Sequence, residues 1–357
     1  MHRRRILQAG LGLIAWRASA AQQQPDFAPV VPGYVLRFPQ DEGSHPQFRT
    51  EWWYVTGWLD TAPLPHGFQV TFFRTRPHPD TGNPSRFAPR YVLIAHAALS
   101  DPAHGRLRHE QRSARSGFGL ADAATGATDV WIDDWHLRWT GSHYAARIDA
   151  KDFALELRLQ PTQPPLLQGQ NGFSRKGPNP ASASYYYSLP HLRRAGRIRN
   201  GDATRDVGGI AWLDHEWSSE AMDAEALGWD WAGINFDAGS ALMGFVMPRR
   251  DGGIHWAEAM RRDATGNART FLHDEVRFVP QGLWTSPRTA AAYPVANALR
   301  AGDTTIDLRP LMDDQESDSR LTTGAIYWEG AVSAMRGGGR IGRGYLELTG
   351  YANPLRF

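Results

Sequence analysis

Phe153, Leu155, Leu157 and Leu159 alternate with Ala154, Glu156, Arg158 and Gln160. A repeat of two belongs to a strand with one buried face, because successive strand side chains leave opposite sides of the backbone. Trp131, Trp135, Leu137 and Trp139 repeat the period nearby. Short aromatic or β-branched segments follow around residues 68–74, 91–99, 229–236, 241–247, 326–332 and 345–351, each bounded by Gly, Pro, Asp or Asn. No long amphipathic helical pattern separates them. The expected class is therefore all-β, an antiparallel meander or barrel with few short helices. The clearest helical candidate starts at Ser218 as a cap and runs through Glu220 to Leu227, where Gly228 would stop it.

The first twenty residues read as an export signal. Arg3, Arg4 and Arg5 precede an apolar run from Ile6 to Trp16, and Ala18-Ser19-Ala20 offers small residues for cleavage near Ala20. The order Arg-Arg-Arg-Ile-Leu suits a twin-arginine signal, and a general secretory signal explains the same charges. Both place the product in the periplasm or outside the cell. No stretch of about eighteen uncharged apolar residues occurs, so no integral membrane segment is expected and the mature product should be soluble. The chain has no cysteine, which excludes disulfide scaffolds, thiol catalysis and thiolate metal sites. Without the four arginines of the leader, 35 basic residues face 37 acidic ones, and the formal charge moves from +2 to −2. A near-neutral surface argues against nucleic acid as a partner, and Arg193, Arg194, Arg197 and Arg199 read as a solvated loop.

The roughly 335 residues that remain exceed one ordinary core, so two domains are expected. The boundary falls near Ser219, giving a lead-in over residues 21–39, a first domain over 40–219 and a second over 220–357. The strand-poor stretch from Pro161 to Pro180 reads as a loop or lid.

Two aromatic knots stand out as site candidates. Glu51-Trp52-Trp53-Tyr54 sets a carboxylate against three large rings, and Trp212-Leu213-Asp214-His215-Glu216-Trp217 does so again far downstream. Ionisable groups beside indoles sit where burial shifts pKa values and where an apolar ligand can be held. The candidate acid–base residues are Asp214, His215, Glu216 and Glu51. Trp52, Trp53, Tyr54, Trp212 and Trp217 form the expected ligand wall, joined by Tyr186, Trp229 and Trp231 from neighbouring aromatic blocks. On a strand, Asp214 and Glu216 share a face and His215 takes the other, so the three cannot converge on one metal ion. No metal or cofactor is expected. Nor is there a Gly-x-Ser-x-Gly elbow or a His-Glu-x-x-His helix. Gly337-Gly338-Gly339-Arg340-Ile341-Gly342 fits a dinucleotide pattern only formally, and the strand-like Tyr345-Leu346-Glu347-Leu348 behind it makes it a hairpin turn.

The string His45-Pro46-Gln47-Phe48-Arg49-Thr50-Glu51-Trp52-Trp53-Tyr54-Val55-Thr56-Gly57 resembles the N-terminal motif of the carotenoid 1,2-hydratase and AttH-type lipocalin-like family. Asn171 to Gly177, Ala183 to Ser188, Gly209 to Ser218, Gly228 to Trp231 and Tyr327 to Val332 agree in order. The resemblance spans nearly the whole mature chain. It implies a secreted bacterial protein of two lipocalin-like β-barrel domains, the first ending near the Asp-His-Glu-Trp block. Similar members are usually named as secreted hydrolases or hydratase-like proteins. The carotenoid branch adds water across an isolated double bond through a carbocation, without a cofactor. His215 and Trp217 resemble that branch's His-x-Trp pair. Its downstream Tyr-x-Asp pair has no match, since Leu242-Met243-Gly244 stands at the comparable spacing, with Asp230 and Asp237 only nearby. The resemblance therefore leaves three expectations open. They are hydration or dehydration of an alkene on an isoprenoid or acyl chain, non-catalytic carriage of such a ligand with a lipid-transport or export partner, and ester hydrolysis. Oligomeric state is not legible.

Overall fold

The computed structural model describes residues 27–76, 85, 87–220, 222, 223 and 225–355, so the export signal expected from sequence lies outside the described residues. Thirteen strands form a first antiparallel sheet: β1 (Thr50–Asp60), β2 (His66–Thr75), β3 (Val92–Ser100), β4 (Arg108–Arg115), β5 (Ala121–Ala123), β6 (Asp129–Ile132), β7 (Trp135–Trp139), β8 (Tyr144–Asp149), β9 (Phe153–Gln160), β10 (Leu166–Leu167), β11 (Phe173–Arg175), β12 (Ala183–Asn200) and β13 (Ala203–Glu220). Ten more form a second: β14 (Asp230–Phe236), β15 (Ala241–Pro248), β16 (Ile254–Arg262), β17 (Ala268–Leu272), β18 (Val276–Thr285), β19 (Ala292–Ala301), β20 (Thr304–Pro310), β21 (Glu316–Ser319), β22 (Ala325–Arg336) and β23 (Gly339–Leu348). Among the described residues, helix is confined to two single turns, Gln40–Glu42 and His273–Glu275. The all-β expectation holds, in a lipocalin-like architecture.

The neighbour order of the first sheet is β4-β3-β2-β1-β13-β12-β9-β8-β7-β6-β5. Its ends approach each other and nearly close a barrel. Arg112 of β4 spans the gap, donating to Asp134 Oδ1 at 2.5 Å and Asp149 O at 3.0 Å while lying over the Trp135 ring. The alternation in β9 buries Phe153, Leu155, Leu157 and Leu159 in the first core. The second sheet runs β17-β16-β15-β14-β23-β22-β20-β19-β18 around a core that includes Ile234, Leu242, Leu299 and Leu346.

Three local expectations change. The Pro161 to Pro180 stretch is no open lid: β10 and β11 pair with β12, and Phe173 and Ser174 are buried. Strand β13 continues through Ser218, whose hydroxyl donates to Ala183 O at 2.6 Å instead of capping a helix. The described residues between it and β14 form turns tied to β15, with Leu227 N donating to Pro248 O. The arginine cluster lies on β12. Arg193 and Arg197 are exposed, but Arg194 is buried against Phe68 and donates to the carbonyls of Trp58 and Gly208.

The two sheets meet through the faces turned away from their own cores. A third apolar cluster lies there, including Tyr54, Trp58, Tyr186, Trp212, Trp231, Met243, Phe245 and Tyr345. Each such aromatic, fully buried, contributes on the order of 2–3 kcal/mol. Polar bonds fix the register: Trp58 Nε1 donates to Gly344 O at 3.0 Å, Ser100 Oγ to Gln315 Oε1 at 2.6 Å, and Arg343 pairs with Asp60 at 2.6 Å. At Gly67 the sheets come so close that a Cβ would lie 2.5 Å from that of Ala331.

Candidate functional site

Strands β1 and β13 are antiparallel neighbours, and their register sets the two knots side by side. Glu51 lies opposite Trp217, Trp52 opposite Glu216, Trp53 opposite His215 and Tyr54 opposite Asp214. The two-residue period then divides the combined knot between two faces. Trp52, Tyr54, Trp212, Asp214 and Glu216 face the second sheet. Glu51, Trp53, His215 and Trp217 point into the first barrel.

The outward set lines a cavity of about 330 Å³ between the sheets. From the first sheet and the segment after β11 come Trp52, Tyr54, Phe73, His96, Lys176, Tyr186, Asp214 and Glu216; from the second sheet and the segment before β14, Trp229, Trp231, Phe245, Tyr327, Glu329 and Glu347. Asp214 is the most constrained group. Tyr186 OH donates to its Oδ2 at 2.7 Å, and Trp212 Nε1 and Ser188 Oγ donate to its Oδ1 at 2.7 and 2.5 Å. Burial nevertheless dominates, opposed by those bonds and reinforced by Glu216, and the carboxyl is pushed up to about 7. The Tyr186 hydroxyl also accepts from Trp231 Nε1 at 3.1 Å, which links the two walls. Two residues along, Glu216 keeps different company. Lys176 Nζ is 2.9 Å from its Oε1 and the Ser184 hydroxyl donates to the same oxygen. The Lys176 ammonium in turn lies over the rings of Tyr186 and Phe245, 4.8 and 4.3 Å from their centroids.

The inward set makes a buried polar network centred on Glu51. Glu51 Oε1 bonds His45 Nδ1 at 2.7 Å and His215 Nε2 at 2.9 Å, and its Oε2 accepts from Arg74 Nε and His45 N, both at 2.9 Å. His45 stacks on Trp217 with centroids 3.7 Å apart, and His215 stacks on Trp53 at 4.7 Å. Burial alone would raise the Glu51 carboxyl, but the bonds from His215 and His45 and the Arg74 charge overcome it and hold the group far below the carboxylate range. Burial lowers His215 against the pull of Glu51, whereas for His45 the bonds to Asp41 and Glu51 outweigh burial and raise it. The ligand atoms of His45, Glu51 and His215 lie within 4.8 Å of one another, a spacing a metal ion could use. In the arrangement present, both imidazoles already bond the carboxylate, and a fully buried guanidinium occupies its second oxygen. The ligand atoms of His45, Glu51 and His215 are engaged with one another, which fits a structural ion network better than a metal centre.

Of the candidates read from sequence, Asp214, Glu216, Trp52, Tyr54, Tyr186, Trp229 and Trp231 line the cavity itself. Trp212 packs behind it and orients Asp214. Glu51, His215, Trp53 and Trp217 sit on the far side of the strands, where no ligand in the cavity reaches them. Sequence reading missed Lys176, Glu329 and Glu347 as site residues. For the two glutamates the available signal was a lone carboxylate inside an otherwise apolar strand, Trp328-Glu329-Gly330 and Leu346-Glu347-Leu348, and Lys176 in its loop-like stretch offered none.

Comparison with known proteins places this geometry in a family. A structure from Nitrosomonas europaea described as an AttH superposes with a TM-score of 0.85 at 55% identity, over 91% of this chain and 100% of that one. A kievitone hydratase from Nectria haematococca shares the fold, with a TM-score of 0.67 at 13% identity over 92% and 96% of the two chains. No curated protein sequence matches. The AttH-like family model covers residues 29–351, from the chain before the first turn to just past the last strand of the second sheet, and the chain belongs to the AttH-like family.

Proposed function

We propose that the cavity between the sheets binds an apolar small molecule of isoprenoid or acyl type and that its acid pair adds or removes water at an alkene without a cofactor. One observation carries the reading. Asp214, a carboxyl pushed up to about 7, stands two residues from the Lys176-paired Glu216 on the wall of an aromatic cavity. A buried carboxyl held at about 7 can give up a proton, and a carboxylate paired with an ammonium on the same face can receive one.

In the forward direction the Asp214 proton passes to one alkene carbon, directly or through the Tyr186 hydroxyl, and the π electrons become the new C–H bond. The other carbon becomes cationic beside the indoles of Trp52 and Trp231. Water attacks it and yields a proton to Glu216, so that one water is added in all. Proton return from Glu216 to Asp214 resets the pair, and the reverse sequence eliminates water. The same fold in a kievitone hydratase is compatible with such chemistry, although 13% identity transfers no residue role. Export to the periplasm and a domain division near residue 220 belong to the same proposal. A lipid carrier remains the rival, because an apolar cavity serves both.

The test is incubation of the protein with a panel of isoprenoid and unsaturated acyl alkenes in water enriched in oxygen-18, read by mass spectrometry. Incorporation of one labelled hydroxyl, lost in Asp214→Asn while the ligand still binds, supports catalysis. Binding with no incorporation across the panel, unchanged by that substitution, assigns the cavity to carriage.

A further inference from the structure

The second sheet gives the cavity two glutamates that the acid–base pair leaves unused. Glu329 of β22 and Glu347 of β23 are directly opposed across the antiparallel ladder, so both carboxyls leave the same face, and both line the cavity. Like charges directly opposed destabilise a sheet unless something compensates them. Lys176 is not that partner, because its ammonium is engaged by Glu216. Among the described residues no arginine, lysine or histidine contributes to the electrostatics of either glutamate, whose charged neighbours are other acids.

A second, independent feature points the same way. Glu329 Oε1 and the Tyr54 hydroxyl are shielded from water and lie near each other, yet neither makes a hydrogen bond of good geometry within the protein. Glu329 is 4% exposed and Tyr54 7%, and both belong to the cavity wall. Buried polar atoms left unmatched in this way destabilise a fold by roughly 1–3 kcal/mol each, so their persistence suggests groups reserved for a ligand.

We infer that this wall is a subsite for a positively charged nitrogen, and that the ligand is an apolar body carrying an ammonium group. The inference rests on the cavity being a ligand site and adds the class of ligand it takes. A neutral hydroxyl would fill one vacant acceptor and leave two carboxyls opposed. An ammonium brings three donors and a charge, which together serve Glu329 and Glu347. Trp229, Trp231 and Tyr54 supply the aromatic surface that favours a cation over a neutral group. Burial favours the neutral form of Glu329, with Glu347 adding to the effect, and an arriving cation reverses that preference.

Isothermal titration at pH 7 with three probes of one chain length, octylammonium, 1-octanol and octanoate, tests the subsite. The expected order is octylammonium about tenfold tighter than octanol, with octanoate weakest. Glu329→Gln and Glu347→Gln should each bring the ammonium close to octanol, with far-ultraviolet circular dichroism and thermal melting reporting that the variants fold. Octanol equal to or tighter than octylammonium, or a preference that survives both substitutions, overturns the subsite and leaves the cavity as an apolar site. Failure of all three probes removes the cavity and the subsite together.

Discussion

Asp214 and Glu216 share a strand and a face, and company alone separates them: indole, phenol and serine donors around the first, a lysine against the second. Their substitution effects should therefore differ in kind. Asp214→Asn keeps the shape and removes the proton, so turnover of an alkene substrate should fall by about 10²–10⁴-fold with little change in binding. With Asp214 pushed up to about 7, the rate of the step that uses its proton should decline as pH rises through that value, a limb that the asparagine variant lacks. A flat profile in the wild type would remove Asp214 from the chemistry. The same burial acts on stability. Asp214, Asp230, Glu258 and Glu347 are each pushed up to about 7, with burial the largest cause. Because these groups bind protons more strongly folded than unfolded, stability is fully present below about pH 4 for this term and is lost as pH climbs to about 7. Urea unfolding should show a weaker protein at pH 8 than at pH 5. Asp230→Asn, which replaces a carboxyl bonded to Tyr351 at 2.9 Å, should flatten that slope.

The element that organises the site is the pair β1 and β13, and its pleat decides which knot residues meet a ligand. Sequence made the pleat legible, since adjacent acids and histidine on a strand must part. It could not say which face turned outward, because both are rich in Trp and both end up buried, one in a barrel and one between sheets. The usual cue, polar residues on the solvent side, is absent. That is why Glu51 and His215 read as catalytic candidates although the fold uses them to hold β1, β2 and the His45 segment together. Glu51→Gln leaves the fully buried Arg74 guanidinium without its counter-charge, and loss of a buried partner amounts to about 3–5 kcal/mol. Denaturant titration should register that loss. His215→Ala should likewise lower stability and leave ligand affinity in the surviving folded protein within about twofold. A His215→Ala variant of normal stability that cannot bind ligand would contradict the division of faces.

At the scale of the whole molecule, the site exists only where the two sheets touch. Alternation, turns and the family resemblance made the all-β class readable from sequence. The cavity was not readable, because Lys176, Asp214 and Glu347 are far apart in the chain and meet only through packing of the outer sheet faces. The close approach at Gly67 makes this testable. Gly67→Val would press two methyl groups toward Ala331, so the sheets should separate locally, thermal stability should fall and ligand uptake should drop at least about tenfold. Far-ultraviolet circular dichroism should still report intact strands. The central claim, that the space between the sheets is the ligand site, is tested most directly by native mass spectrometry of the protein from its native host, followed by denaturing extraction. The account predicts a defined apolar ligand, retained in His215→Ala and depleted in Trp231→Ala. Retention that survives Trp231→Ala but fails in His215→Ala would move the site into the first barrel and contradict it.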